Sequence, residues 1–136
     1  MADEIFVDTS ALYSLVVRAD ENHAQAAALW QRFAQSPNEL TTHSYVVVEA
    51  TALLQRREGL LAVSALANVL AVVAVHWVDR DLHARAFTVL LSGGRRNVSF
   101  VDEVSFEFMR EKAIRRAFAF DDDFRAAGFE VLPTVG

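Results

Sequence analysis

Short apolar runs alternate along the chain with longer amphipathic segments. The runs, such as Ile5-Phe6-Val7, are typical of strands buried on both faces of a parallel sheet. The longer segments repeat apolar residues at helical spacing, as Val46, Ala50 and Leu53 do. The pattern predicts strands at 5–7, 39–42, 72–78, 117–120 and 129–132, and helices at 11–17, 22–33, 44–57, 60–70, 79–91, 100–112 and 122–127.

The order of these elements indicates the fold class. Strands that alternate with helices favour a parallel sheet with helices on both faces. We therefore expect a three-layer α/β/α sandwich with a central, mostly parallel five-stranded sheet. Sheets of this kind place their functional sites beyond the carboxyl ends of the strands. The length of 136 residues suits a single domain over 1–136, and the sequence has no internal repeat and no linker-like tract.

Composition narrows the possible chemistry. The chain has no cysteine, which excludes disulfides, iron–sulfur clusters, thiolate zinc sites and cysteine nucleophiles. The net charge of −5 argues against binding nucleic acid by bulk charge alone, but it is compatible with an acidic metal site. No apolar run approaches the roughly 20 residues of a membrane helix, and the N-terminus has no signal-peptide pattern. We therefore expect a cytoplasmic protein with no membrane partner.

Four acidic side chains stand out because apolar runs carry them. Asp8 follows the first predicted strand, and Asp121 follows the fourth, with Asp123 two residues further on. Glu49 lies on the apolar stripe of a predicted helix, and Asp102 lies near the start of another. A carboxylate on an apolar stripe is costly unless it is paired, protonated or bound to a metal.

Each acid also has a purely structural interpretation. Asp8 and Asp121 can cap the helices that follow them. Ser99 and Asp102 have the spacing of a capping box, and caps are far commoner than metal ligands. Glu49 can pair with an arginine. Taken one residue at a time, the sequence leaves both interpretations open.

Taken together, the acids favour a metal site. If the strands that precede Asp8 and Asp121 are neighbours, the two side chains meet at one edge of the sheet, where the helices of Glu49 and Asp102 also begin. Several carboxylates in one pocket repel one another, and the hard cations Mg²⁺ and Mn²⁺ prefer such oxygen ligands. A site of this kind can activate water for in-line attack on phosphorus without a histidine or serine nucleophile.

The segments that carry the acids resemble the four acidic motifs of the PIN domain family. They read Phe-Val-Asp-Thr-Ser-Ala-Leu, Val-Glu-Ala, Ser-Phe-Val-Asp-Glu-Val-Ser-Phe and Ala-Phe-Asp-Asp-Asp-Phe, in this order, and the resemblance spans about residues 5–132. The opening segment and the compact length are most similar to VapC-type toxins of bacterial toxin–antitoxin pairs.

The resemblance implies a divalent-metal-dependent endoribonuclease that uses Mg²⁺ or Mn²⁺. It assigns the catalytic and metal-binding roles to Asp8, Glu49, Asp102 and Asp121, with Asp123 as a further metal ligand. The run of three aspartates leaves open whether Asp121 or Asp123 is the main fourth ligand. Asp122 would be a spacer, Phe124 a packing residue, and Ser10 a hydroxyl that supports the metal site or a bound water.

The resemblance also implies partners. It predicts an RNA substrate, a homodimer, and an antitoxin whose basic side chain blocks the acidic groove. The apolar stretch 46–70 is the expected place for both protein contacts, although core packing explains much of it equally well.

Other residues are less informative. Arg95, Arg96, Arg115 and Arg116 are candidates for RNA binding, with a solvated surface as the simpler interpretation. The histidines lack metal-ligand spacing, and we assign Trp30 and Trp77 to the core or to an interface.

Two other classes of function compete with the nuclease. The first is a catalytically inactive PIN-like module that binds protein. The second is a phosphotransfer domain, which fits poorly because Ser10 stands where a phosphatase needs a second aspartate, and the single lysine, Lys112, lies in a predicted helix.

Overall fold

A five-stranded sheet forms the centre of the computed structural model, which describes residues 4–35, 39–93 and 97–134. The strand order is β3-β2-β1-β4-β5, and every neighbouring pair is parallel. The fold class predicted from the sequence is confirmed. The strands are β1 (Glu4–Val7), β2 (Glu39–His43), β3 (Ala74–His76), β4 (Arg116–Phe118) and β5 (Glu130–Leu132).

Helices cover both faces of this sheet. The chain moves from β1 outward to β2 and β3, and then returns across the sheet to β4 and β5. Because crossover connections are right-handed, this reversal places the helices before β3 on one face and those after it on the other. The helices of the described residues are α1 (Thr9–Val16), α2 (His23–Ala34), α3 (Ser44–Arg57), α4 (Leu60–Leu70), α5 (Arg80–Leu91), α6 (Phe100–Glu111) and α7 (Asp123–Ala126).

The central strand explains why its sequence is continuously apolar. Ile5, Phe6 and Val7 are completely buried, because β1 has a strand on each side and helices on each face. The ring of Phe6 packs against Phe108 and Phe124. The core therefore lies directly beneath the edge of the sheet where Asp8 follows β1.

Two predicted strands continue past the carboxyl ends of the observed ones. In the run 72–78, the N–H of Val72 bonds to the Val69 carbonyl, and the N–H of Val78 donates to Ser44 Oγ at 2.9 Å. Only β3 itself therefore pairs with β2. In the run 117–120, the N–H of Phe120 donates to Ser10 Oγ at 2.9 Å and not to a carbonyl of a neighbouring strand. Strand β4 therefore ends at Phe118.

Helix α3 also departs slightly from its predicted pattern. Val46, Ala50 and Leu54 are its buried apolar residues, whereas Leu53 is only half-buried. Glu49 lies beside this stripe and is half-buried. Among the described residues, no helix has the length and apolar character needed to cross a membrane.

Candidate active site

Asp8 lies at the carboxyl end of the central strand and caps the helix that follows. Its side chain accepts the backbone N–H of Ser10 at 3.2 Å and the Ser10 hydroxyl at 2.7 Å. Only 2% of Asp8 is exposed. The cap therefore holds a buried carboxylate in one position at the edge of the sheet.

Ser10 joins two parts of the site. While its hydroxyl donates to Asp8, its oxygen accepts the backbone N–H of Phe120 at 2.9 Å. Phe120 immediately precedes Asp121, so Ser10 connects the first acid to the loop that carries another. The structure therefore places Ser10 where the sequence predicts a supporting hydroxyl.

Asp102 and Asp121 are each held by local hydrogen bonds. Ser99 caps α6, and its Oγ accepts the backbone N–H of Asp102 at 3.1 Å. Asp121 lies three residues beyond β4, where its Oδ1 accepts the backbone N–H of Asp123 at 3.0 Å. Both side chains are half-buried.

Three of the predicted acids converge. Asp8, Asp102 and Asp121 each offer a carboxylate oxygen, and these oxygens lie within 4.8 Å of one another. Asp8 and Asp121 meet because β1 and β4 are neighbours and their carboxyl ends lie at the same edge of the sheet. Asp102 comes from α6, which packs on β1 through the contact of Phe108 with Phe6.

The electrostatics show a cluster with excess negative charge. Burial raises the pKa of Asp8 well above its ordinary value, and the charges of Asp121 and Asp102 raise it further. Burial also raises the pKa of Asp102 to about 7, with further contributions from Asp121, Asp123 and Glu49. The pKa of Asp121 is raised, chiefly by burial. The hydrogen bonds of Ser10 to Asp8 and of Ser99 to Asp102 act in the opposite direction.

These residues fit a hard divalent cation. The donors are carboxylate oxygens gathered in one small volume, and their mutual repulsion is what a cation would relieve.

Glu49 and Asp123 lie near this cluster. Both raise the pKa of Asp102, although neither belongs to the close group of three among the described residues. Between Asp121 and Asp123, the side chain of Asp122 is 98% exposed and pairs with Arg125 at 3.2 Å. Phe124 is completely buried. The expected spacer and packing positions therefore agree with the structure.

Two of the four candidate RNA-binding arginines lie in the described part of the chain, and neither is brought to the acids. Arg115 and Arg116 lie at the amino end of β4, whereas the acids lie beyond the carboxyl ends of the strands. Arg95 and Arg96 lie outside the described residues.

The aromatic and histidine residues serve different purposes. Trp30 is half-buried and stacks on Phe118, as a core residue does. Trp77 is 84% exposed, so of the two predicted places, core or interface, only the interface remains for it. His43 is completely buried, burial lowers its pKa to about 3, and both ring nitrogens have hydrogen-bond partners within the fold.

A cavity that sequence analysis did not identify adjoins the acids. Its volume is about 280 Å³, and Gln25, Phe120, Asp121, Arg125 and Pro133 contribute to its walls. No periodicity or motif distinguishes Gln25 among the polar residues of α2, so the sequence gives no signal for it.

The fold and the site together define the class of protein. A parallel α/β sandwich with a carboxylate cluster at the carboxyl edge of the sheet is suited to metal-dependent hydrolysis of a phosphodiester bond. The family model of the PIN domain matches residues 5–130. The chain belongs to the PIN domain family.

Similar proteins agree with this assignment. The "23S rRNA-specific endonuclease VapC20" of two Mycobacterium tuberculosis strains, CDC 1551 and H37Rv, is 43% identical over 132 residues, which cover 95% of this chain and 98% of the relative. The crystal structure of M. tuberculosis VapC20, described as a "Sarcin-Ricin loop cleaving toxin", matches with a TM-score of 0.83 and 42% identity. That match covers 92% of this chain and 95% of the other. The chain is accordingly an endoribonuclease of the VapC toxin type.

Proposed function

We propose that Asp8, Asp102 and Asp121 hold the catalytic divalent cation, Mg²⁺ or Mn²⁺, and that Glu49 and Asp123 complete the acidic site. The observation that carries the proposal is the convergence of three carboxylates whose pKa values are all raised. A bound cation of this kind supplies Lewis-acid activation of water and stabilisation of phosphate charge.

The protein's own residues prepare the site for this chemistry. Ser10 orients Asp8 by donating its hydroxyl proton, and it fixes the Asp121 loop by accepting the N–H of Phe120. Ser99 fixes the first turn of α6 and with it the position of Asp102. Without a cation, the raised pKa values mean that the cluster retains protons, which cation binding would displace.

We propose a loop of large-subunit ribosomal RNA as the substrate. The VapC20 proteins, at 43% identity over almost their whole length, are named for 23S rRNA, and the similar crystal structure is that of a toxin that cleaves the sarcin–ricin loop. Action on ribosomal RNA would place this chain in the cytoplasm.

We also propose two protein partners, a cognate antitoxin and a second copy of the chain. Within the stretch 46–70, Val48, Leu60 and Leu61 are strongly exposed, and Leu61 is 89% exposed. No charged residue occurs between Glu58 and Asp79. Exposed apolar surface of this kind is typical of protein contacts.

Cleavage by paired variants tests the site. Purified protein is incubated with ribosomal RNA in Mg²⁺, Mn²⁺ or EDTA, beside the variants Asp8→Asn and Asp122→Asn. The two substitutions make the same chemical change, but Asp122 is exposed and lies outside the cluster. We expect discrete cuts that require metal, that Asp8→Asn abolishes and that Asp122→Asn leaves intact.

Two results would contradict the proposal. Metal-dependent cutting by a folded Asp8→Asn variant would remove Asp8 from the catalytic site. A wild-type protein that neither cuts RNA nor binds Mn²⁺ would favour the inactive binding module.

A further inference from the structure

The cavity beside the acids has the walls that a nucleobase requires. The side chains of Phe120, Val131 and Pro133 make part of its lining apolar, and Gln25 and Arg125 bring polar groups to it. Flat apolar faces with polar edges are the features by which proteins recognise unstacked RNA bases. The volume of about 280 Å³ is close to the lower end of ordinary ligand pockets, roughly 300 Å³.

The polar groups of the cavity are available for a ligand. Gln25 is exposed on α2, and its amide forms no hydrogen bond within the described part of the chain. An amide carries both donors and an acceptor, so it can distinguish the edges of different bases. Arg125 pairs with Asp122 at 3.2 Å, but this pair is exposed and therefore weak. Its guanidinium can stack on a base or bind a phosphate.

The position of the cavity connects it to the scissile bond. Asp121 belongs both to the acid cluster and to the wall of the cavity. A nucleotide in the cavity would therefore lie next to the phosphate held at the acids. Sites of open parallel sheets lie beyond the carboxyl ends of the strands, and the cavity occupies this position above β4 and β5.

We propose that this cavity binds the unpaired base of a nucleotide adjacent to the scissile phosphate, and that Gln25 and Arg125 determine which base is accepted. The inference rests on the proposal that the acids cleave RNA. It adds a specificity subsite to that site and assigns residues that sequence analysis did not single out.

Two variants and two matched controls test the subsite by cleavage. Gln25→Ala and Arg125→Ala remove the polar wall, whereas Gln31→Ala and Arg32→Ala make the same changes at exposed positions of α2 that do not line the cavity. The substrate is a hairpin pool carrying a ribosomal RNA loop with randomised loop positions, and cut ends are sequenced. We expect Gln25→Ala to relax the base preference at one position beside the cut by about tenfold. Arg125→Ala should raise KM more than it lowers kcat.

A binding measurement makes the outcome independent of cleavage. The Asp8→Asn protein is titrated in EDTA with each of the four nucleoside 5′-monophosphates, and the side-chain NMR signals of Gln25 and Arg125 are followed. We expect both signals to shift, more strongly for one base than for the others, while the signals of Gln31 and Arg32 stay in place.

The outcomes separate the subsite from the proposed function. If the wild-type protein cleaves with dependence on Asp8 but Gln25→Ala leaves the base profile unchanged, the subsite is overturned and the active site stands. If cleavage does not depend on Asp8 while the Gln25 signal shifts selectively, the subsite stands and the catalytic assignment fails. If the wild-type protein does not cut the pool, the titration decides, and equal shifts for all four nucleotides or no shift at Gln25 overturn the subsite.

Discussion

At the scale of single residues, one carboxylate serves both a helix and the acid cluster. Asp8 caps α1 through the N–H of Ser10 and also belongs to the carboxylate cluster. Asp102 belongs to the same cluster, while its N–H bonds to the capping residue Ser99. A helix cap therefore positions Asp8 and Asp102, whereas α7, which follows Asp121, has no side-chain cap. Sequence reasoning on one residue at a time could not choose between cap and ligand because the structure uses both.

The raised pKa of Asp102 predicts how stability depends on pH in the absence of metal. The pKa is about 7 in the folded protein against an ordinary value of 3.8, so the folded state binds more protons between these values. The stabilising contribution of this group is present below its unfolded pKa and is lost as pH rises through 7. In EDTA, we expect Asp102→Asn to raise the melting temperature at about pH 8 and to have less effect at about pH 5.

The comparison with a matched variant isolates this effect. The pKa of His43 is lowered to about 3, so its contribution to stability is lost as pH falls below its ordinary value of 6.5, which opposes the slope from Asp102. Subtracting the melting curves of Asp122→Asn, which carries the same change at an exposed position, removes that background. If Asp102→Asn lowers the melting temperature at every pH, the carboxylate acts as a structural partner and not as one of several repelling acids.

At the scale of elements, the sequence predicts most strands and helices correctly, but it does not predict the hydrogen bonds between elements that are distant along the chain. Helices α3 and α4 begin and end where the apolar periodicity places them. The ends of β3 and β4 differ from the prediction because Ser44 and Ser10, distant along the chain, take the hydrogen bonds of Val78 and Phe120. Local patterns carry no information about such contacts.

The contact between His43 and Ser105 is the clearest example. The ring Nδ1 of His43 accepts the N–H of Val46 in the first turn of α3, and its Nε2 lies 2.8 Å from Ser105 Oγ on α6. Ser105 in turn donates to the Val101 carbonyl at 3.0 Å. The buried chain of hydrogen bonds joins the two helices that carry Glu49 and Asp102, so it contributes to their spacing.

Removing the hydroxyl of Ser105 should therefore destabilise the protein. Ser105→Ala leaves the buried N–H of His43 without its acceptor, which we expect to lower the free energy of unfolding by about 1–3 kcal/mol. Urea denaturation measures this change. The control Ser64→Ala, at an exposed position of α4, should change it by less than about 0.5 kcal/mol. Equal effects of the two substitutions would show that the contact contributes nothing to stability.

At the scale of the whole molecule, the site exists because of the strand order. Asp8 and Asp121 are far apart in the sequence, and the adjacency of β1 and β4 brings them together, while α6 contributes Asp102. From the sequence alone, Asp8 and Asp121 are expected to meet only if the strands that precede them are neighbours. The hydrophobic pattern identifies the strands but does not show which strands pair with each other. An acidic cluster could therefore be predicted, but not which acids belong to it.

Metal binding should therefore stabilise the entire fold. A ligand that binds only the folded state at one hundred times its dissociation constant raises the free energy of unfolding by about 2.7 kcal/mol. We expect Mn²⁺ to raise the melting temperature of the wild-type and Asp122→Asn proteins, and to have little effect on Asp8→Asn. Because the cation displaces protons from acids with raised pKa values, the rise in melting temperature should be larger at about pH 8 than at about pH 5.5.

Equal stabilisation of the Asp8→Asn and Asp122→Asn variants by Mn²⁺ would place the bound ion outside the cluster. A lack of stabilisation in all three proteins would show that the carboxylates are held together without a metal function.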